Sequence, residues 1–190
     1  ATRNLIQTQY STYNRSLLPA LKKEGLIVVE SHEDMNKEQK AFADQYFEET
    51  IYPVLTPMAM DSARPFPLVR NKTLNIGALI AKKGKKEKEE LEFATVQVPS
   101  VLPRIVEIPC QKEGKKAIIL LEEIIERNIG KLFLSNQVVC TCPYRIIRNA
   151  DLTIDEDEAA DLLSEIQKQI KKRQWGEVIR LDVDEKMDPR

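Results

Sequence analysis

The chain has 190 residues, and its 29 Lys and Arg residues almost balance its 30 Asp and Glu residues, which gives a net charge of -1. This balance argues against a nucleic-acid-binding protein, because such proteins need an excess of positive charge to neutralise phosphates. Apolar residues make up 42% of the chain, enough for a buried core and too much for a disordered chain. No run approaches the roughly 18 consecutive apolar residues of a membrane-spanning helix. We therefore expect a cytoplasmic protein with a single domain over residues 1–190.

The N-terminal quarter predicts two helices around one short strand. Apolar residues recur every three or four positions from Leu5 to Leu21, which is typical of an amphipathic helix. Pro19 lies inside this pattern and lacks a backbone donor, so we expect a kink or a restart near Ser16. Residues 26–29 form the predicted strand. A second helix begins at residue 36, where Asn and a Gln three positions later match a capping box, and it ends at Pro53.

The remainder of the chain predicts mainly strands. Four prolines between residues 53 and 67 favour an extended connection. The predicted elements that follow are an antiparallel hairpin over 73–81 and 91–98, strands over 105–108 and 116–120, a helix over 121–130, a strand over 137–148, a helix over 155–170 and a closing strand over 177–183. Pro143 predicts that its strand lies at a sheet edge or carries a bulge. The predicted fold class is α+β, a mixed β-sheet with an antiparallel hairpin and helices packed mainly on one face.

The motifs of common catalytic sites are missing from the sequence. Each of the six glycines is isolated, so no phosphate-binding loop is predicted. Cys140 and Cys142 are separated by one residue, and the single histidine, His32, is far from them in sequence, so we expect no metal site and no disulfide framework. His32 lies in a charged stretch and is predicted to be a solvated loop residue. We therefore predict no catalytic residue.

Two arginines on one predicted strand are unusual. Arg145 and Arg148 are three positions apart and must point to opposite faces of the sheet. An arginine on a covered face needs a carboxylate or backbone acceptors, and we expect Arg148 to be that residue, with Asp151 or Asp61 as its partner. The alternative is that such an arginine contacts an oxyanion or a partner chain. Arg64 and Arg104 allow the same two interpretations.

Several segments, in order, resemble one known family, the bacterial polyphosphate kinases of type 1. The matching segments are residues 52–61 (Tyr-Pro-Val-Leu-Thr-Pro-Met-Ala-Met-Asp), 65–67 (Pro-Phe-Pro), 98–99 (Val-Pro), 102–104 (Leu-Pro-Arg), 144–151 (Tyr-Arg-Ile-Ile-Arg-Asn-Ala-Asp), 156–163 and 180–183 (Arg-Leu-Asp-Val). Residues 17–21 and 25–26 also look like the start of the family's head, or middle, domain. The resemblance covers nearly the whole chain.

The resemblance implies that the chain is a fragment of a longer enzyme. The family transfers the terminal phosphate of ATP reversibly to polyphosphate through a phosphohistidine, with magnesium, and its catalytic residues lie in C-terminal domains that this sequence does not match. No catalytic residue is carried over, and His32 matches none of the family's histidines. The resemblance implies no cofactor in this fragment, although the full-length enzyme uses ATP and magnesium. It further implies that residues 1–24 form a helix leading in from an N-terminal domain, and that the head domain takes part in dimerisation.

Three hypotheses for the function follow. The first is a structural and dimerisation domain, inactive by itself, with a second subunit, the enzyme's own N- and C-terminal domains and polyphosphate as partners. The second is a free-standing small phosphatase-like hydrolase on the same fold. The third, compatible with the first, is a polyphosphate-binding module. The candidate residues for contact with polyphosphate or with another chain are Arg64, Arg70, Lys72, Arg104 and Arg148.

Overall fold

The computed structural model describes residues 2–60, 68–82, 91–149, 176–185 and 187–188. The chain divides into two compact units, unit 1 formed by residues 1–55 and 99–131 and unit 2 by residues 56–98 and 132–190. The prediction of a single domain stays a prediction. Within the described residues the elements are, in chain order, α1 (Thr2–Thr12), a π-helical turn (Tyr13–Leu17), α2 (Leu18–Lys23), β1 (Leu26–Val29), a 3-10 turn (His32–Asp34), α3 (Lys37–Tyr46), a π-helical turn (Phe47–Ile51), a 3-10 turn (Tyr52–Val54), β2 (Pro57–Ala59), β3 (Leu74–Lys82), β4 (Leu91–Gln97), β5 (Ile105–Ile108), β6 (Lys116–Leu120), α4 (Leu121–Asn128), a 3-10 turn (Ile129–Leu132), β7 (Asn136–Arg148) and β8 (Val178–Val183).

The first helix of unit 1 is interrupted where the sequence predicts it. The π-helical turn over Tyr13–Leu17 separates α1 from α2 and lies directly before Pro19. Proline cannot donate the regular backbone hydrogen bond, and a wider turn accommodates the missing donor. α2 ends at Lys23, and Gly25 follows with a φ of 88°, a left-handed conformation that favours glycine.

The start of α3 confirms the predicted capping box. The Gln39 backbone N–H donates to the Asn36 side chain at 2.9 Å, and the Asn36 backbone N–H donates to Gln39 Oε1 at 3.1 Å. Gln39 is buried, and its Nε2 donates to the carbonyl oxygen of Pro109 at 2.8 Å. The cap therefore also ties α3 to the chain that leaves β5.

Unit 1 has a three-stranded mixed sheet in the order β1-β6-β5. β1 and β6 are parallel, with Val29 paired to Ile119, and β5 is antiparallel to β6. Its buried apolar side chains include Phe47, Ile51, Ala117, Ile119, Leu121, Ile124 and Ile125. Because β1 and β6 run in the same direction, the segments that leave their carboxyl ends lie at the same edge of the sheet.

Unit 2 has a five-stranded antiparallel sheet in the order β2-β4-β3-β7-β8. β3 and β4 form the predicted hairpin, and the β3 residues Ile76, Ala78 and Ile80 of the predicted apolar face are buried. Asn75 and Gly77 on the other face are buried as well. The predicted helix over 155–170 lies outside the described residues. The predicted closing strand is β8, paired to the C-terminal half of β7.

The prediction for Pro143 is wrong in its position within the sheet. β7 is an interior strand between β3 and β8, and its bulges lie opposite Leu79/Ile80 and at Ile147/Arg148, not at the proline. The Pro143 carbonyl accepts a hydrogen bond from Asp184 N–H at 3.3 Å, so its nitrogen also faces the β8 side, just past the last β7–β8 pair. At this position β8 has ended, so the missing N–H of Pro143 interrupts no hydrogen bond of the β7–β8 pairing, and an interior strand can contain the proline.

The predicted α+β class is confirmed, but the strands are divided between a mixed sheet and an antiparallel sheet instead of joining in one. Among the described residues, no helix is long and apolar enough to cross a membrane.

Candidate functional site

The basic corner of unit 2, which we define as Arg70, Lys72 and Arg148, joins three of the five predicted contact residues. It is built on the turn between Val69 and β3. Lys72 has a φ of 64°, unusual for a residue with a side chain, and its N–H donates to the Ile146 carbonyl at 2.9 Å. The turn closes as Thr73 Oγ1 donates to the Arg70 carbonyl at 3.0 Å. The side chains of Arg70 and Lys72 are exposed as a result.

Arg148 holds this turn against the end of β7. Its Nε and one terminal nitrogen donate to the Val69 carbonyl at 3.3 and 3.1 Å, and the other terminal nitrogen donates to the Gly176 carbonyl at 2.8 Å. Its backbone N–H donates to Asn71 Oδ1 at 2.9 Å. Within the described residues, the acceptors of this half-buried guanidinium are neutral carbonyl oxygens. The guanidinium donors are therefore bound by neutral acceptors, and no carboxylate of the described residues accepts a hydrogen bond from this side chain.

Arg145, on the other face of the same strand, has a different environment. It is exposed, and its Nε and terminal nitrogen donate to Asp182 Oδ2 at 3.2 and 2.8 Å. Burial alone would raise the pKa of Asp182, but hydrogen bonds from Arg145 and Arg180, together with their charges, hold the pKa below its ordinary value. The two arginines therefore lie on opposite faces as predicted, and Arg148 is the more buried one. The acids predicted as its partner, Asp151 and Asp61, lie outside the described residues.

Arg104 lies in unit 1 and is bound to a carboxylate. Its Nε donates to both oxygens of Glu122, at 3.0 and 3.2 Å, and a terminal nitrogen also donates to Oε1. These hydrogen bonds raise the pKa of the guanidinium, an effect that outweighs the lowering by burial. Glu122 is only 5% exposed. Of the two interpretations of Arg104, the structure favours the pairing with an acid. Arg64 lies outside the described residues.

His32 corrects a prediction. It is not a solvated loop residue, because it begins a 3-10 turn in unit 1 and its side chain is only 26% exposed. Its backbone N–H donates to Glu123 Oε2 at 2.9 Å, and its Nδ1 lies 3.2 Å from the same oxygen. The two residues are 91 positions apart in the sequence, and no local motif indicates that they meet.

The face of the unit 2 sheet that carries Gly77 and Leu79 of β3 holds an apolar cavity of ≈ 420 Å³. Its lining includes Cys140, Cys142, Tyr144 and Leu181. All three cysteines are free of disulfide bonds, and the two in this strand point to the same side, as the alternation predicts. Residues 150–175, which connect two of the lining strands, lie outside the described residues, and we assign the cavity no ligand.

One buried polar contact at this cavity has no local signal in the sequence. The hydroxyls of Thr95 and Tyr144 lie 2.8 Å apart, and both residues are buried. Burial raises the pKa of Tyr144, and the hydrogen bond with Thr95 only partly offsets that effect. Since Thr95 is on β4 and Tyr144 on β7, with β3 between them, the contact crosses three strands.

Comparison with known proteins gives the family of the chain. A family model described as the polyphosphate kinase middle domain matches residues 38–190. The chain belongs to the polyphosphate kinase family. It is 46% identical over 183 residues to a polyphosphate kinase of Lactiplantibacillus plantarum, covering 96% of this chain and 25% of the relative. It is 44% identical over 186 residues to that of Halalkalibacterium halodurans, covering 97% of this chain and 26% of the relative.

A solved structure has the same fold. The crystal structure of polyphosphate kinase from Porphyromonas gingivalis superposes with a TM-score of 0.66 at 23% sequence identity, over 87% of this chain and 27% of that chain. The predicted membership of the polyphosphate kinase family is thus confirmed. The chain spans about a quarter of the length of the relatives that it matches.

Proposed function

We propose that this chain is the structural and dimerisation domain, the head, of a polyphosphate kinase that transfers the terminal phosphate of ATP reversibly to polyphosphate through a phosphohistidine, with magnesium. Its own charged groups support a structural role. The pairs Arg104–Glu122, Arg127–Asp44 and Arg145–Asp182 each join different elements of one unit. His32, the single histidine of the chain, is bound to a glutamate. We therefore place the nucleophile of the enzyme outside this chain.

The observation that carries the proposal is the apolar stripe of α1 and α2. Tyr10 is 65% exposed, Tyr13 37% and Leu17 48%, and no residue from Tyr13 to Lys23 is buried. The sequence predicts these side chains on one face of an amphipathic helix. Such a face usually packs against another surface, because leaving it in water forfeits roughly 1.5 to 3 kcal/mol for each large side chain.

We assign this stripe to a second subunit of the enzyme. Leu and Tyr side chains suit a protein interface, since tyrosine buries a large ring and keeps a hydroxyl at the rim. The net charge of -1 means that two copies of the domain repel each other little.

The test uses the full-length enzyme and its mass in solution. Tyr10→Glu combined with Leu17→Glu should convert the dimer to a monomer, because two carboxylates would have to be buried in the interface. Val101→Glu is the control, since Val101 is an apolar side chain that is also exposed, at 78%, and lies outside the stripe. A dimer that survives the double substitution would refute the assignment of the stripe.

A second candidate function, polyphosphate contact, rests on the basic corner. Arg70 and Lys72 are exposed beside Arg148, and a chain of phosphates is bound mainly through such positive charge. Arg70→Ala combined with Lys72→Ala should weaken binding of the 190-residue chain to polyphosphate and flatten its dependence on salt. Lys22→Ala with Lys23→Ala removes the same charge from unit 1 and serves as the control. Equal losses in both pairs would indicate attraction without a site.

The isolated chain should be inactive. We expect no transfer of radiolabel from ATP to acid-insoluble polymer when the 190-residue chain is assayed with magnesium, because phosphoryl transfer requires an activated nucleophile and a phosphate-binding group. Transfer that is lost in His32→Ala would overturn this expectation and would favour an independent enzyme. We place the enzyme in the cytoplasm, where its three free cysteines would stay reduced.

A further inference from the structure

Three potential metal ligands meet at one edge of the unit 1 sheet. His32 follows β1 by three residues, and Glu123 follows β6 by three residues. β1 and β6 are parallel neighbours, so both segments emerge at the same edge. Glu126 is three positions after Glu123 on α4 and therefore lies on the same face of that helix. All three side chains are partly buried.

The geometry is close to that of a coordination site. The ligand atoms of His32, Glu123 and Glu126 all lie within 4.8 Å of one another. Nδ1 of His32 is 3.2 Å from Glu123 Oε2, whereas zinc bonds of about 2.0 to 2.2 Å place neighbouring tetrahedral ligands roughly 3.3 to 3.6 Å apart. One edge of such a tetrahedron is thus nearly formed.

The local backbone fixes the orientation of the first two ligands. The His32 backbone N–H donates to Glu123 Oε2 at 2.9 Å, and the Ser31 side chain caps the turn that His32 begins. A backbone donor on a coordinating carboxylate is the kind of second contact that orients metal ligands in proteins.

The type of donor selects the class of metal. One imidazole and two carboxylates suit zinc and the neighbouring first-row divalent ions, because calcium and magnesium prefer sets made of oxygen alone. Three protein ligands would leave a fourth position for water. We propose that His32, Glu123 and Glu126 bind a zinc-type divalent cation, which ties the turn after β1 to α4. This site replaces the sequence-based expectation of no metal, which considered only the cysteines and a solvated histidine.

The test measures zinc binding by the full 190-residue chain in competition with a chromophoric chelator. Glu126→Gln keeps the shape of the side chain but removes its charge, and it should weaken zinc binding at least about tenfold. His32→Ala should do the same. Glu107→Gln is the control, because Glu107 is an exposed carboxylate on β5 of the same unit. It should bind zinc as the wild type does.

Cobalt(II) identifies the ligands. Occupation of this site should give visible d–d absorption without thiolate charge-transfer bands, and that absorption should be lost in both site variants. Thiolate bands would assign the metal to the cysteines and overturn the proposal. So would zinc binding by Glu126→Gln equal to that of the wild type, an equal loss in Glu107→Gln, or no zinc binding by the wild-type chain. The outcome is independent of the proposed role in dimerisation.

Discussion

Replacing Arg148 by Met tests how the basic corner is held together. Methionine keeps most of the length and the apolar stem but removes three side-chain hydrogen bonds to the carbonyls of Val69 and Gly176. A hydrogen bond from a charged donor contributes about 1.5 to 3 kcal/mol. The three bonds share one guanidinium and one desolvation penalty, and they are partly solvated. We therefore expect the free energy of unfolding to fall by about 2 to 4 kcal/mol, not by the sum.

Arg145→Met is the matched control, because it makes the same chemical change on the opposite face of β7. Its ion pair with Asp182 is exposed, and exposed pairs contribute about 0.2 to 1 kcal/mol. Urea unfolding followed by circular dichroism compares the two variants. In Arg148→Met, hydrogen exchange should also accelerate at the Lys72 amide, whose N–H donates to the Ile146 carbonyl. Equal destabilisation of Arg145→Met and Arg148→Met, or wild-type unfolding of Arg148→Met, would show that the hydrogen bonds of Arg148 do not hold the corner together.

Three further predictions concern buried polar contacts. Thr95→Val and Tyr144→Phe should each lower the free energy of unfolding by about 1 to 3 kcal/mol, because one hydroxyl is left without its partner. The double variant should lose less than the sum of the two single losses. Additive losses in urea unfolding would contradict the contact. Burial raises the pKa of Tyr144, so the stabilisation that comes from this shift should be complete below about pH 10 and should decline as the pH rises through the raised value. Urea unfolding of the wild type and of Tyr144→Phe at increasing pH measures this decline. The same pH dependence of stability in both proteins would contradict the prediction. Arg104→Met should lower the free energy of unfolding by about 1 to 3 kcal/mol, because the buried carboxylate of Glu122 loses its partner, although the Arg104 side chain is itself largely solvated. Adding Glu122→Gln to this variant should recover part of the loss in thermal unfolding. No recovery would show that the loss comes from packing.

Much of the fold follows from local signals in the sequence. The capping box at Asn36 starts α3, and the strand over residues 26–29 is present at those residues. The alternation in β7 places Arg145 and Arg148 on opposite faces. These features depend on residues within a few positions of one another, and periodicity, capping groups and glycine or proline signals record such interactions directly.

The candidate site was only partly predictable. Arg148 was expected to need an acceptor, but the acceptors found in the described residues are the carbonyls of Val69 and Gly176, and backbone atoms leave no residue-specific signal in a sequence. Asn71 also contacts Arg148, and it occupies a turn whose position beside β7 depends on strand pairing.

Only the tertiary structure decided which strands are neighbours. The sequence predicts each strand but not that β1, β5 and β6 form one sheet while β2, β3, β4, β7 and β8 form another. The sequence predicts Pro143 at a sheet edge or a bulge because proline lacks a backbone donor. That β8 ends beside Pro143, so that no donor is required, is not apparent from the sequence. In the same way, His32 meets Glu123 because β1 and β6 are parallel neighbours. Which distant segments pair depends on which apolar faces are buried together. The sequence pattern shows that a strand has an apolar face, but it does not show which other face packs against it.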